Sequence, residues 1–265
     1  MGSPRGAMSA SWRLEMEVAV HLAWKAGRLT LQHFQTGVLA ELKEDESPVT
    51  AADREAETII RQGLQASYPD DGIVGEEFDP VESRSGRTWY VDPIDGTKSF
   101  VSGVPLYGVL IGLEGPRDTC LAGAVYLPAL DEMVCASRGE GCFWNGRRAR
   151  VSAVGRLSDA SICYTSARSF AECGRQGAWE ALAPRARLER GWGDCYGHIL
   201  VATGRAEAML DPIISPWDCG PLPVILEEAG GSFTDWQGQP TIHGGDGVST
   251  NGRLREDILS HLREG

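Results

Sequence analysis

The stretch Trp89-Tyr90-Val91-Asp92-Pro93-Ile94-Asp95-Gly96-Thr97-Lys98-Ser99-Phe100 is an apolar strand that runs into two acids and a glycine. Strand ends of this kind project side chains into a cleft. Pro93 stiffens the turn, and Asp92 and Asp95 can then share a hard cation with the Ile94 carbonyl between them. Gly96 permits close approach of a ligand to the backbone, and a helix starting at Thr97 would turn free N–H groups toward an anion. The same residues would also serve an ordinary β-turn, for which Asp, Pro and Gly are the usual choice.

Outward from this stretch, two long helices precede it. Leu14, Val18, Leu22, Ala26, Leu29 and Leu31 recur at helical spacing between Ser11 and Phe34. Thr50 and Asp53 make a capping-box-like pair before the stripe Ala56, Ile59, Ile60 and Leu64. After Gly75, short β-like runs follow at Trp89 to Val91, Tyr107 to Leu113, Leu121 to Leu127 and Glu132 to Ala136, and Asn145-Gly146 marks a tight hairpin. This predicts an antiparallel-rich sheet backed by two helices. Beyond Val154 the pattern becomes α/β: strand Ser161 to Thr165, helix near Ala171 to Leu182, helix Tyr196 to Thr203, strand Ala206 to Leu210 and helix Pro216 to Ala229. The expected division is 9–153 for an N-terminal α+β subdomain carrying the main metal-binding motifs and 154–265 for an α/β subdomain that completes the site.

Two other acidic sites stand out. Gly75-Glu76-Glu77 follows the apolar pair Ile73-Val74, so that one carboxylate can face a site while its neighbour supports it from outside; a solvated acidic loop is the alternative. Ser215-Pro216-Trp217-Asp218 opens a helix with an N-cap and a proline at the first position. Asp218 then sits where the macrodipole favours a carboxylate with or without a metal, and Asp53 is equally explained by capping.

Composition narrows the function. Of 265 residues 42% are hydrophobic and 23% charged, which fits a globular chain with a substantial core. A net charge of −12 argues against nucleic-acid or anionic-membrane partners, which select for clustered Lys and Arg. It also means that a phosphate ligand would need bound cations to reverse the local field. Seven scattered cysteines without CxxC spacing suit a reducing cytoplasm, and no apolar run is long enough to span a membrane. Met8 is a second candidate start, and residues 1–8 carry no part of the reading. Neither GxGxxG nor GxxxxGK[ST] occurs, which disfavours a nucleotide-binding protein.

The acidic pair, DPIDGT and the late WD together resemble the inositol monophosphatase superfamily, over about Glu15 to Leu262. Within it, DPIDGTKSFVSG (Asp92 to Gly103), PLYGVLIGL (Pro105 to Leu113) and RGWGDCYGHILVATGR (Arg190 to Arg205) are most similar to the histidinol-phosphate phosphatase branch. Inositol monophosphatases usually carry Thr-Asn in place of Lys98-Ser99.

The resemblance implies a layered αβαβα sugar-phosphatase-like fold (α+β / α/β) with the active site between the halves, and a cytoplasmic homodimer. It implies a Mg²⁺-dependent phosphomonoesterase of histidine biosynthesis acting on a small phosphate ester, L-histidinol phosphate first, with inositol 1-phosphate as the alternative and a catalytically silent binding module as a remote one. Two or three Mg²⁺ would be held by Glu76, Asp92, the Ile94 carbonyl, Asp95 and Asp218, with Glu77 supporting from behind. Thr97 and Asp53 would orient the attacking water with Glu76 at the catalytic centre, while Gly96 and Thr97 N–H groups receive the phosphate. Asp194 would accept hydrogen bonds from the leaving group with Arg190 nearby for charge balance; a helix N-cap is the other reading of Asp194. His198 is expected to be packed. The charged segment Leu39 to Pro48, with Lys43, Glu44, Asp45 and Glu46, would close over the site.

Overall fold

A computed structural model describes residues 11–37, 41–42 and 48–264. Lys43 to Glu46, and with them most of the expected closing segment, lie outside the described residues. The chain begins with α1 (Arg13–His33), the paired two-residue strands β1 (Glu41–Leu42) and β2 (Pro48–Val49), and α2 (Ala51–Ser67). A seven-stranded sheet follows: β3 (Gly72–Gly75), β4 (Thr88–Asp95), β5 (Gly108–Gly115), β6 (Thr119–Leu127), β7 (Glu132–Ser137), β8 (Gly141–Trp144) and β9 (Arg147–Arg148), with the short helix α3 (Thr97–Val101) after β4. The strands lie side by side in chain order, and only β3 and β4 run parallel.

The second half contributes β10 (Ser161–Tyr164), α4 (Ala167–Glu172), α5 (Gln176–Leu182), β11 (Leu188–Arg190), α6 (Asp194–Ala202), β12 (Ala208–Asp211), α7 (Pro216–Cys219), α8 (Leu222–Ala229), β13 (Ser232–Thr234), β14 (Gly247–Thr250) and α9 (Arg255–Glu264). Its five strands pair in the order β11-β10-β12-β14-β13.

The pleat explains how these pieces stack, because successive strand residues face opposite sides of a sheet. Trp89 and Val91 of β4 and Val109, Ile111 and Leu113 of β5 pack on Ala19, Leu22, Ala23, Ile60 and Leu64 of α1 and α2. Tyr90 and Leu110 face the other way and meet Ile199 of α6 and Leu222 and Ile225 of α8, which also cover Met209 and Phe233 of the second sheet. The far face of that sheet, with Ile162, Leu210 and Val248, is closed by Phe170, Trp179, Ile258 and Leu262. The result is the five-layer αβαβα arrangement expected from the sequence.

Three local readings are corrected. Leu14, placed on the buried stripe of α1, is 71% exposed; Leu22 and Ala26 of that stripe are buried, together with Met16, Ala19, Ala23, Gly27 and Thr30. Small residues let the helix sit close to the sheet. The helix expected over Ala171 to Leu182 is two, parted at Gly174, whose φ of 69° no helix accommodates. The helix expected over Pro216 to Ala229 is likewise split into α7 and α8, because Pro221 has no N–H with which to continue the ladder.

That break fixes a functional element. Gly112 and Gly123 pair across β5 and β6, directly beneath Gly220 and Pro221. A Cβ on Gly112 would stand 2.2 Å from the Gly220 carbonyl carbon and 2.4 Å from the Pro221 nitrogen. Since backbone atoms yield little, Gly112→Ala is expected to destabilise the protein by about 3 kcal/mol and to displace α7 from the sheet. Urea unfolding measures this; an unchanged midpoint would show that the helix has slack there.

Candidate active site

Asp92 and Asp95 are three residues apart and on a regular strand would point to opposite faces. The β4–β5 ladder loses register between them. Pro93 cannot donate to the ladder, so the strand bulges and re-aims the second acid. Helix α7 brings Asp218 to the same place, and carboxylate oxygens of Asp92, Asp95 and Asp218 all lie within 4.8 Å of one another. Each acid accepts a backbone N–H at one carboxylate oxygen: Asp92 Oδ1 from Ile94 at 2.9 Å, Asp95 Oδ2 from Cys195, and Asp218 Oδ2 from Ser215 at 2.8 Å.

Such crowding is electrostatically costly. Burial, then the charges of Glu76, Asp95 and Asp218, holds Asp92 well above the carboxylate range. Burial followed by Asp194 and Asp218 does the same to Asp95, and burial pushes Asp218 up to about 7. Three acids converging on one point answer to a multivalent cation. The donor set is all oxygen, as a hard ion requires.

Glu76 sits just beyond β3, beside β4, and its charge acts on Asp53, Asp92 and Asp218. Its loop is pinned by a pair not singled out in the sequence. Glu57 of α2 is fully buried; its Oε1 accepts from Arg61 Nε at 2.6 Å and its Oε2 from the Glu77 N–H at 2.8 Å. Arg61 in turn donates to the carbonyls of Phe78 and Asp79. Glu77 thus meets the support through its backbone. An i,i+4 Glu/Arg pair beside the apolar stripe of α2 was the available signal.

Asp53 caps α2, as read: Thr50 donates to Oδ2 from its N–H at 2.8 Å and from its hydroxyl at 2.6 Å. Its Oδ1 is buried without a hydrogen-bond partner, so capping accounts for only half of the carboxylate. An orphaned buried acceptor calls for a partner from outside the chain. Thr97 donates its hydroxyl to the Ile94 carbonyl at 3.0 Å, and Gly96, at φ 83°, turns the chain into α3.

A cleft of about 840 Å³ opens beside Asp218, lined by Gly96, Thr97, Lys98, Thr165, Arg168, Asp194 and Ile213. Asp194 begins α6 with φ 53°, and its N–H donates to Thr165 Oγ1 at 2.8 Å. The N-cap position is Gly193, so the capping alternative for Asp194 falls away. Its carboxylate stands against Gly96, 3.1 Å from where a Cβ on that glycine would lie, and burial pushes it up to about 7. Arg190 lies elsewhere: it is exposed and donates to the Glu189 carbonyl. His198 is buried, between Ser249 and Asp211, as expected. The described residues therefore bring together Asp92, Asp95, Gly96, Thr97, Asp194 and Asp218, with Glu76 and Asp53 behind them and Arg190 apart.

The chain has clear relatives. It is 46% identical to the histidinol-phosphatase of Chlorobaculum parvum over 95% of this chain and 97% of that protein. It is 38% identical to the histidinol-phosphatase of Mycobacterium tuberculosis over 95% and 98% of the two chains. Among solved structures, the extragenic suppressor protein suhB from Bartonella henselae superposes with a TM-score of 0.87 at 30% identity, covering 95% of this chain and 99% of its own. The profile of the inositol monophosphatase family matches residues 12–265, and the chain belongs to that family.

Proposed function

We propose that the protein is a Mg²⁺-dependent phosphomonoesterase whose substrate is L-histidinol phosphate, which it hydrolyses to L-histidinol and phosphate in histidine biosynthesis. The observation that carries the metal chemistry is the converging triad of buried Asp92 and half-buried Asp95 and Asp218, with the charge of Glu76 acting on it. Glu76, Asp92 and the Ile94 carbonyl would hold one ion and Asp92, Asp95 and Asp218 another, with Glu76 contributing to a third. Bound Mg²⁺ supplies positive charge to the phosphoryl oxygens and the leaving oxygen and acidifies a water.

The chain's own groups do the rest. Asp53 Oδ1, buried and unpaired, is an acceptor for a proton of the attacking water, and the Thr97 hydroxyl, now on the Ile94 carbonyl, is close at hand to align it. N–H groups at the start of α3, at Gly96 and Thr97, receive phosphoryl oxygens. Asp194, which lines the same cleft against Gly96, accepts hydrogen bonds from the ammonium group of the substrate. The two halves, 9–153 and 154–265, would act as one catalytic unit within a homodimer.

The substrate reading rests on the names of the most similar relatives and on Asp194; inositol 1-phosphate is the second reading. Phosphate release with Mg²⁺ is compared among histidinol phosphate, inositol 1-phosphate and adenosine 3′,5′-bisphosphate. Histidinol phosphate is expected to lead in kcat/KM by a hundredfold, about 3 kcal/mol of transition-state discrimination. A lead for another ester overturns the substrate and keeps the metal chemistry; cleavage of none points to a silent binding module.

A further inference from the structure

Four elements of the second half are tied together by a continuous chain of hydrogen bonds that ends at Asp194. His198, on the second turn of α6, is 1% exposed. Its Nδ1 lies 2.7 Å from Ser249 Oγ on β14, and its Nε2 lies 2.9 Å from Asp211 Oδ2 at the end of β12. The other oxygen of Asp211 accepts from the Thr165 hydroxyl at 2.5 Å, and Thr165 Oγ1 accepts the Asp194 N–H at 2.8 Å.

The directions of these bonds are forced. The N–H of Asp194 can only donate, so the Thr165 hydroxyl proton is left for Asp211, whose carboxylate accepts at both oxygens. Nε2 of His198 must therefore carry a proton. Only the bond between His198 Nδ1 and Ser249 can run either way, and Thr165 is the hydrogen-bonded joint between the buried part and the cleft wall.

What the chain holds is costly to hold. Asp194 has a backbone φ of 53°, a conformation non-glycine residues seldom adopt, and the following N–H, of Cys195, is committed to Asp95. The Thr165 bond and the Cys195 bond together hold the backbone on either side of the Asp194 Cα, and from there its carboxylate packs against Gly96. A residue at the start of a helix, otherwise free to relax toward ordinary dihedrals, is thereby held in a strained conformation on the lining of the cleft.

We propose that Thr165 and His198 are positioning residues that, through Asp211, set the Asp194 carboxylate for recognition of an ammonium group on the leaving alcohol. This rests on the substrate reading above and deepens it. Neither residue needs to touch the reacting atoms; both act by removing the freedom of one that meets the substrate.

The test uses full-length protein with Mg²⁺ and two esters, histidinol phosphate and the amine-free glycerol 2-phosphate. Thr165 is exposed, so Thr165→Val removes both bonds without opening a cavity. The ratio of kcat/KM for histidinol phosphate over glycerol 2-phosphate is expected to fall tenfold or more, through a rise in KM for histidinol phosphate with kcat changed less than threefold. The Kd of L-histidinol, measured by calorimetry, rises by a similar factor. Thr165→Ser, which keeps the hydroxyl, restores both within twofold. His198→Gln, whose amide can still donate to Asp211, retains selectivity, whereas His198→Leu loses it. If the ratio stays within twofold in Thr165→Val, or if Thr165→Ser fails as badly as Thr165→Val, the positioning role is overturned while the substrate reading stands. If the wild type already shows no preference for the amine-bearing ester, the substrate reading falls and takes this proposal with it.

Discussion

Asp92→Asn is expected to lower kcat by at least about a thousandfold while making the metal-free protein more stable, not less. Asp92 faces Glu76, Asp95 and Asp218 and lies within hydrogen-bonding reach of Asp218. It is the acid shared between the two proposed ions, so its loss removes a ligand from each and leaves the phosphoryl oxygens without compensating charge. An amide fills the same volume and still accepts from the Ile94 N–H through its oxygen. It also replaces an acid that burial and its neighbours hold well above the carboxylate range, so that folding without metal no longer requires it to take up a proton, and it offers an N–H to the remaining carboxylates. Stability in a chelating buffer should rise by about 1 to 3 kcal/mol, the scale of relieving one such buried acid. Urea midpoints with and without Mg²⁺, alongside phosphate release, check both halves: the wild type gains stability on adding Mg²⁺ and the variant gains little. A variant less stable than wild type without metal would mean that the acids hold the fold together by themselves.

Much of this site was legible because its residues are local. DPIDG carries two acids, a proline and a glycine within five positions, and each acts through its own backbone geometry: the proline breaks the ladder, the glycine turns it into α3. Thr50 with Asp53 is likewise a three-residue relation, and so is Ser215 with Asp218. The unread parts are relations across the chain. Thr165, His198, Asp211 and Ser249 are ordinary residues in ordinary elements until β10, α6, β12 and β14 converge, and no spacing announces that. The same holds for Gly112 and Gly123, whose lack of side chains matters only because Gly220 and Pro221 rest on them.

The part of the α1 face that was missed, Ala19, Ala23 and Gly27, has a different cause. A stripe of Leu and Val carries more hydrophobicity than one of Ala and Gly, yet close packing on a sheet selects the smaller side chains: a Cβ on Gly27 would already meet the Tyr126 ring at 2.5 Å. Strands β11, β13 and β14 are three or four residues long, too short for any alternation to stand out. The sheet they join decides them.

Without divalent metal, stability should fall as pH rises from about 5 to 8, and saturating Mg²⁺ should flatten that slope. Asp218 is pushed by burial up to about 7, and Asp92 and Asp95 are held well above the carboxylate range by burial and by one another. A folded carboxyl whose pKa is raised keeps a proton that the unfolded chain, near 3.8, has already released. Between those values the native state binds more protons, so the derivative of unfolding free energy with pH is negative. Stability is greatest at the acid end of the window and is lost as pH climbs through the folded pKa. For Asp218 alone the interval corresponds to about 4 kcal/mol by about 7, at 1.4 kcal/mol per unit. The acids titrate as one set, so that figure is counted once for the site. Metal ligation needs the deprotonated form, and binding at a hundredfold excess over Kd adds about 2.7 kcal/mol, a gain that grows as protons leave. Melting temperatures at pH 5.5, 6.5 and 7.5, in chelator and in Mg²⁺, should therefore form two lines that diverge upward in pH. Parallel lines would show that these carboxylates are already ionised in the empty site. The cluster would then be held by neighbouring N–H groups such as those of Ile94, Cys195 and Ser215, and not be waiting for a cation.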